Sequence, residues 1–191
     1  MKKFVLAPAL AALAVFLWGF LYWGAPHLLP YKALGPIEDE SATALAVGKM
    51  FPVSGVYLLP SPLHSMDKME ELSARGPSVE VHIRKEPWTT QDQFKCMALG
   101  YAHVFVISLL LVIILGGLEK AFVCWTCRVK FCASLGLLVA TCDLGYAIWW
   151  HHSLTWTLAQ AAYDWVTYVI AGLVLAKFVT PKPAATPPAT A

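Results

Sequence analysis

One histidine and two aspartates stand inside otherwise apolar stretches of this chain: His103, Asp143 and Asp164. His103 lies eight residues after Lys95, Asp143 eight before His151, and Asp164 eight after Trp156. At about 1.5 Å of rise per helical residue, all three fall about 12 Å below one boundary of their apolar runs. Ionisable groups at such depth in a membrane are costly, face the interior of a bundle, and are paired or functional. At one level they could share a proton, hold a cation or bind a polar ligand. Tyr146 is three residues from Asp143 and Tyr168 four from Asp164, so each can join its aspartate's helical face. A structural reading stands beside this one. Gly136, Ala140, Asp143 and Ala147 form one helical stripe, and Ala161, Asp164, Tyr168 and Ala171 another. Small residues on such stripes let helices approach, with polar groups as links between them. Two facing carboxyls would then share one proton.

Cysteines form the second candidate. Cys124 and Cys127 make a CxxC pair, with Cys132 five residues later. Such a pair can chelate a metal or cycle between thiol and disulfide. A structural zinc site needs four ligands, and no second CxxC or histidine is near in sequence. His151 and His152 are adjacent, between Trp150 and Ser153, and are the remaining metal candidates. Nothing in their spacing fixes them as a ligand pair, so they read as solvated surface groups. The chain contains no phosphate-binding glycine loop, HExxH or GxSxG motif. No cofactor is expected, and catalysis has little support.

These residues need a scaffold, and composition says that it is a membrane one. The chain is 58% hydrophobic and only 14% charged, with a mean hydropathy of +0.60. Soluble domains carry about 25% charged residues. A formal net charge of +2 is too small to suggest a nucleic-acid partner. Four apolar runs, at 4–23, 96–118, 131–150 and 156–176, are each near the roughly 20 residues that a spanning helix needs. Trp18, Tyr22, Trp23, Trp149, Trp150 and Trp156 collect at their ends as an interfacial belt. Ala12-Leu13-Ala14 resembles a signal-peptide cleavage site, but the apolar run continues to Trp23, so this segment reads as a retained anchor.

Basic residues set an expected direction. Lys2 and Lys3 precede the first run; Lys120, Arg128 and Lys130 lie in the 119–130 loop; Lys177 and Lys182 follow the last. The 151–155 connection has neither Lys nor Arg. By the positive-inside rule both termini are cytoplasmic, and the 24–95 segment lies outside. That segment reads as αβαβ. Asp39-Glu40-Ser41 caps a helix over 42–47, and residues 53–59 form a strand between prolines. Ser65 caps a helix over 66–74 that Gly76 ends, and Val79, Val81 and Ile83 alternate with polar residues as a second strand. Thr90-Gln91-Asp92-Gln93 fits a capping box opening the second spanning helix. Residues 177–191, rich in Pro, Ala and Thr, read as a disordered cytoplasmic tail.

Gly19-Phe20-Leu21-Tyr22-Trp23 closes the first run, and Ala162-Tyr163-Asp164-Trp165 leads to Gly172 in the fourth. These segments resemble a family of small bacterial four-helix membrane proteins of unknown function. The resemblance covers only the helical parts, and the 24–95 insert is longer than its pattern. It implies a bacterial inner-membrane location and no activity. The expected fold is an all-α transmembrane four-helix bundle with a small extracytoplasmic α/β insertion between helices one and two. The expected role is a non-catalytic accessory protein that meets lipid and either another membrane protein or a second copy of itself. A proton- or cation-coupled transporter using His103, Asp143 and Asp164 is the first alternative. A membrane redox or metal-binding protein is the second.

Overall fold

A computed structural model describes residues 2–25 and 28–179. The expected tail lies outside the described residues from position 180 onward, as does Lys182. The chain is mostly helical, with four long apolar helices and a small two-stranded α/β insertion between the first and second. It divides into two compact units, Met1–Leu34 with Gln93–Ala191, and Gly35–Asp92.

The helical unit contains α1 (Lys2–Gly24), the short α2 (Leu29–Lys32), α5 (Thr90–Gly117), α6 (Trp125–Trp149) and α7 (Leu154–Leu175). Helices α1, α5, α6 and α7 are long and apolar enough to cross a membrane. Their outer faces carry exposed Leu17, Leu21, Leu110, Leu137 and Leu138, as helices surrounded by lipid do. The chain is a multi-pass membrane protein by these features, and those faces meet the bilayer.

Packing centres on α7, which lies closest to α6 on one side and α1 on the other. The core joins Ala7, Ala11 and Val15 of α1 with Leu111, Val112 and Leu115 of α5, Cys132 of α6, and Ala171 and Leu175 of α7. Small residues allow the closest approach, because association inside lipid depends on packing contact. At Gly136, a Cβ would stand 2.5 Å from Tyr168 Cβ; at Gly172, 2.7 Å from Cys132 Cβ. Between α1 and α7 the contact is aromatic. Tyr22 donates its hydroxyl to the Ala159 carbonyl at 2.7 Å, and the Trp18 ring stacks on Tyr163. Several residues expected in an interfacial belt therefore hold two helices together, while Trp149 and Trp150 remain exposed. Helix α5 meets α1 through longer side chains, with Tyr101 donating to the Ala9 carbonyl at 3.2 Å and its ring edge-on to Phe16.

A tight turn joins α6 to α7. The Trp150 and His152 amides both donate to the Tyr146 carbonyl, and His151 takes a left-handed φ of 56°. Histidine is among the non-glycine residues enriched in that region. At the opposite end of α6, Cys124 occupies the N-cap, where its sulfur accepts the Cys127 amide.

The insertion contains α3 (Glu40–Met50), β1 (Gly55–Leu59), α4 (Met66–Arg75) and β2 (Val79–Ile83). Asp39 caps α3 by accepting the Ala42 amide at 2.8 Å. Gly76, at φ 62°, ends α4 with its amide on the Leu72 carbonyl. Ser65 stands at the N-cap of α4, but its hydroxyl makes no capping bond; its carbonyl accepts the Met69 amide instead. The strands pair antiparallel, with Tyr57 opposite Val81 and Leu59 opposite Val79. Lys85 donates to the carbonyls of Gly48 and Phe51 and so closes the end of α3. The capping box that opens α5 sits one residue earlier than Thr90-Gln91-Asp92-Gln93. Thr89 and Asp92 exchange the two amide bonds, at 3.0 and 3.2 Å. With Thr at both 89 and 90, the sequence offers two adjacent registers, and the acid at position 92 selects the earlier.

Candidate functional site

The α6–α7 hairpin brings Asp143 and Asp164 together. Their carboxyls lie close enough to interact with one another, and Asp143 Oδ2 is buried without a hydrogen-bond partner. Both residues are only partly exposed. Tyr168, one turn beyond Asp164, lies within electrostatic reach of both carboxyls, and its Cβ fills the space over Gly136. The glycine contacts thus set the helix separation at which the aspartates meet: Gly136 is two turns before Asp143, and Gly172 is eight residues after Asp164. Two neighbouring carboxyls repel if both are ionised, so one proton held between them is favoured. The pair can therefore link the helices through a shared proton, or pass that proton on.

His103 does not join them. It is exposed on α5 and faces a groove of about 480 Å³ between α1 and α5, whose wall includes Phe16, Phe20, Trp23 and Tyr163. Common depth along three helices places groups at one level without pointing them at one another. Tyr146 also points elsewhere: its ring stacks on His152 at 5.5 Å, because the turn through His151 folds the chain back over it. Among the described residues, no three His, Cys, Asp or Glu side chains converge to hold a metal ion. Cys124 and Cys127 form a disulfide. Cys132 lies apart from them, buried in the core against Gly172.

Arg128 is the polar residue of most structural consequence that spacing did not single out. It is 3% exposed. Its Nε donates to the Phe122 carbonyl at 2.9 Å, one terminal nitrogen to Val123 at 2.8 Å, and the other to Ala176 at 3.1 Å. One guanidinium thereby ties the loop before α6 to the last carbonyls of α7, where a cation also complements the helix dipole. A signal for this was present. A cation in the opening turns of a helix opposes the dipole, so Arg128 needed acceptors from elsewhere.

The Gly19–Trp23 and Ala162–Trp165 segments meet in space. The Tyr163 hydroxyl lies 3.1 Å from where a Cβ on Gly19 would stand, and its ring packs on Tyr22 and Trp23. No family model, no curated protein and no solved structure matches the chain.

Proposed function

We propose that this chain is a non-catalytic membrane interaction protein: its helices anchor it, and its Gly35–Asp92 unit docks onto another protein. One observation carries this reading. Among the described residues of that unit, only Phe51 is buried, while Leu45, Val53, Leu63 and Met66 are each more than 60% exposed. A unit of this size is marginal even with a full core. An apolar surface in water without a core beneath it marks a site of association. The distribution of lysine and arginine supports an outward-facing insertion and cytoplasmic termini. The helical resemblance supports a bacterial inner membrane. The α1 contacts to α7 support retention of the first segment as an anchor. Purification of the full chain in mild detergent is expected to co-isolate a defined partner or a homo-oligomer. A monodisperse single chain across several detergents would count against the proposal.

The carboxyl pair favours a second reading, proton- or cation-coupled transport through the α6–α7 hairpin. Asp143→Asn and Asp164→Asn separate the two. Asparagine can still hydrogen-bond to the remaining carboxyl, so the interaction reading predicts little loss of thermal stability with Asn. Leucine, which leaves one buried carboxyl unpaired, costs about 1–3 kcal/mol. If transport is the role, reconstituted vesicles should lose ion or solute flux with either Asn variant. Unchanged flux removes that reading.

A further inference from the structure

We infer that Cys124–Cys127 is an exchangeable disulfide that reacts with dithiols, a chemistry separate from the docking role proposed above. The two cysteines are linked across a sequence separation of three. So short a loop removes little entropy from the unfolded chain, and the bond is a weak structural staple. Its two sulfurs are unequally placed: Cys124 is exposed and Cys127 half-buried. Cys124 sits at the N-cap of α6, where its sulfur accepts the Cys127 amide at 3.0 Å. Backbone N–H groups at a helix start stabilise negative charge on sulfur. One turn on, Arg128 bonds the carbonyls of Phe122 and Val123, the two residues before Cys124, and so fixes the backbone that leads into the pair. An accessible sulfur, a resolving partner and a helix start whose amide already bonds the sulfur together favour thiol–disulfide exchange.

The step balances as follows. A thiolate of an incoming dithiol attacks Cys124 Sγ, the Cys124–Cys127 bond breaks, and Cys127 leaves as a thiolate that takes up a proton. The dithiol's second thiolate attacks its own sulfur in the mixed disulfide, releasing Cys124 as the thiolate. The protein disulfide gains two electrons and the dithiol becomes a disulfide.

The test uses the full chain in membranes, equilibrated with dithiothreitol at a series of reduced-to-oxidised ratios. Free thiols are then alkylated and located by mass spectrometry. Cys124 and Cys127 should pass together and reversibly from blocked to alkylated, while Cys132 does not follow the series. In glutathione disulfide, Cys127→Ser should accumulate a mixed disulfide at Cys124, and Cys124→Ser should form none at Cys127. A pair that stays blocked, or stays alkylated, across the whole series overturns the inference. So does equal glutathione capture by the two variants. The wild-type series stands alone if either variant fails to fold.

Discussion

Replacing Arg128 by methionine should destabilise the helical unit by about 1.5–3 kcal/mol, because it removes the donor from three backbone carbonyls and leaves the buried one unsatisfied. Methionine fills similar length but donates nothing. The Phe122, Val123 and Ala176 carbonyls each lose a charge-assisted bond, and hydrogen bonds to charged groups contribute about 1.5–3 kcal/mol apiece, without simple additivity. Ala176 is 1% exposed, so its carbonyl is the one that water replaces least well. Lysine should recover only part of the loss, because its single ammonium cannot span the acceptors that the planar guanidinium reaches. The measurement is thermal unfolding in detergent of the wild type, Arg128→Met and Arg128→Lys. Equal stability of all three would remove the guanidinium as the tie between loop and α7.

The second large effect is at the glycines between α6 and α7. Gly136→Ala places a Cβ 2.5 Å from Tyr168 Cβ and 3.1 Å from the Trp165 carbonyl oxygen. Neither neighbour is the free end of a flexible side chain, so the helices must separate. Gly172→Ala meets Cys132 Cβ at 2.7 Å and its sulfur at 3.3 Å. Overpacking of this kind costs about 1–3 kcal/mol, and Gly136→Leu should cost more. Gly116 is the control. Nothing lies within 4 Å of its added Cβ, and in this last turn of α5 alanine is favoured over glycine by up to about 0.5 kcal/mol, less than in a helix middle. The sign of the effect should therefore reverse between Gly116→Ala and Gly136→Ala in the same unfolding assay. A common sign would mean that helix propensity, not close approach, governs both positions.

Much of this arrangement was legible in residue order. The four runs declared themselves because spanning a bilayer demands length and apolar character over every turn. The stripes through Gly136 and Asp143 and through Ala161 and Asp164 were legible because a hairpin with a short turn must pack its small-residue faces together. The α3 cap at Asp39 and the stop at Gly76 are local devices, readable from a few neighbours. What failed were inferences that needed direction as well as position. Spacing puts His103 at the level expected for the aspartates, but in the fold it lines a groove with Phe16, Phe20 and Trp23 of α1. Spacing lets Tyr146 share Asp143's helical face, and the left-handed turn at His151 brings His152 onto its ring. Arg128 and Lys85 make their decisive bonds to backbone carbonyls distant in sequence or on another element, and carbonyls carry no sequence signature. The exposed apolar surface of the insertion was also hidden. Alternation in Val79, Val81 and Ile83 foretells a half-buried strand, but not that so little stands behind it.

The central claim, that the insertion's apolar surface exists to meet another protein, is tested most directly at Leu63, which is 93% exposed. A photo-reactive amino acid placed there and activated in intact cells should give a discrete higher-mass adduct. The same probe at Lys68, on the charged face of α4 where Lys68 pairs with Glu71 at 2.8 Å, should give much less. No adduct at Leu63, or equal diffuse labelling at both positions, would contradict the account.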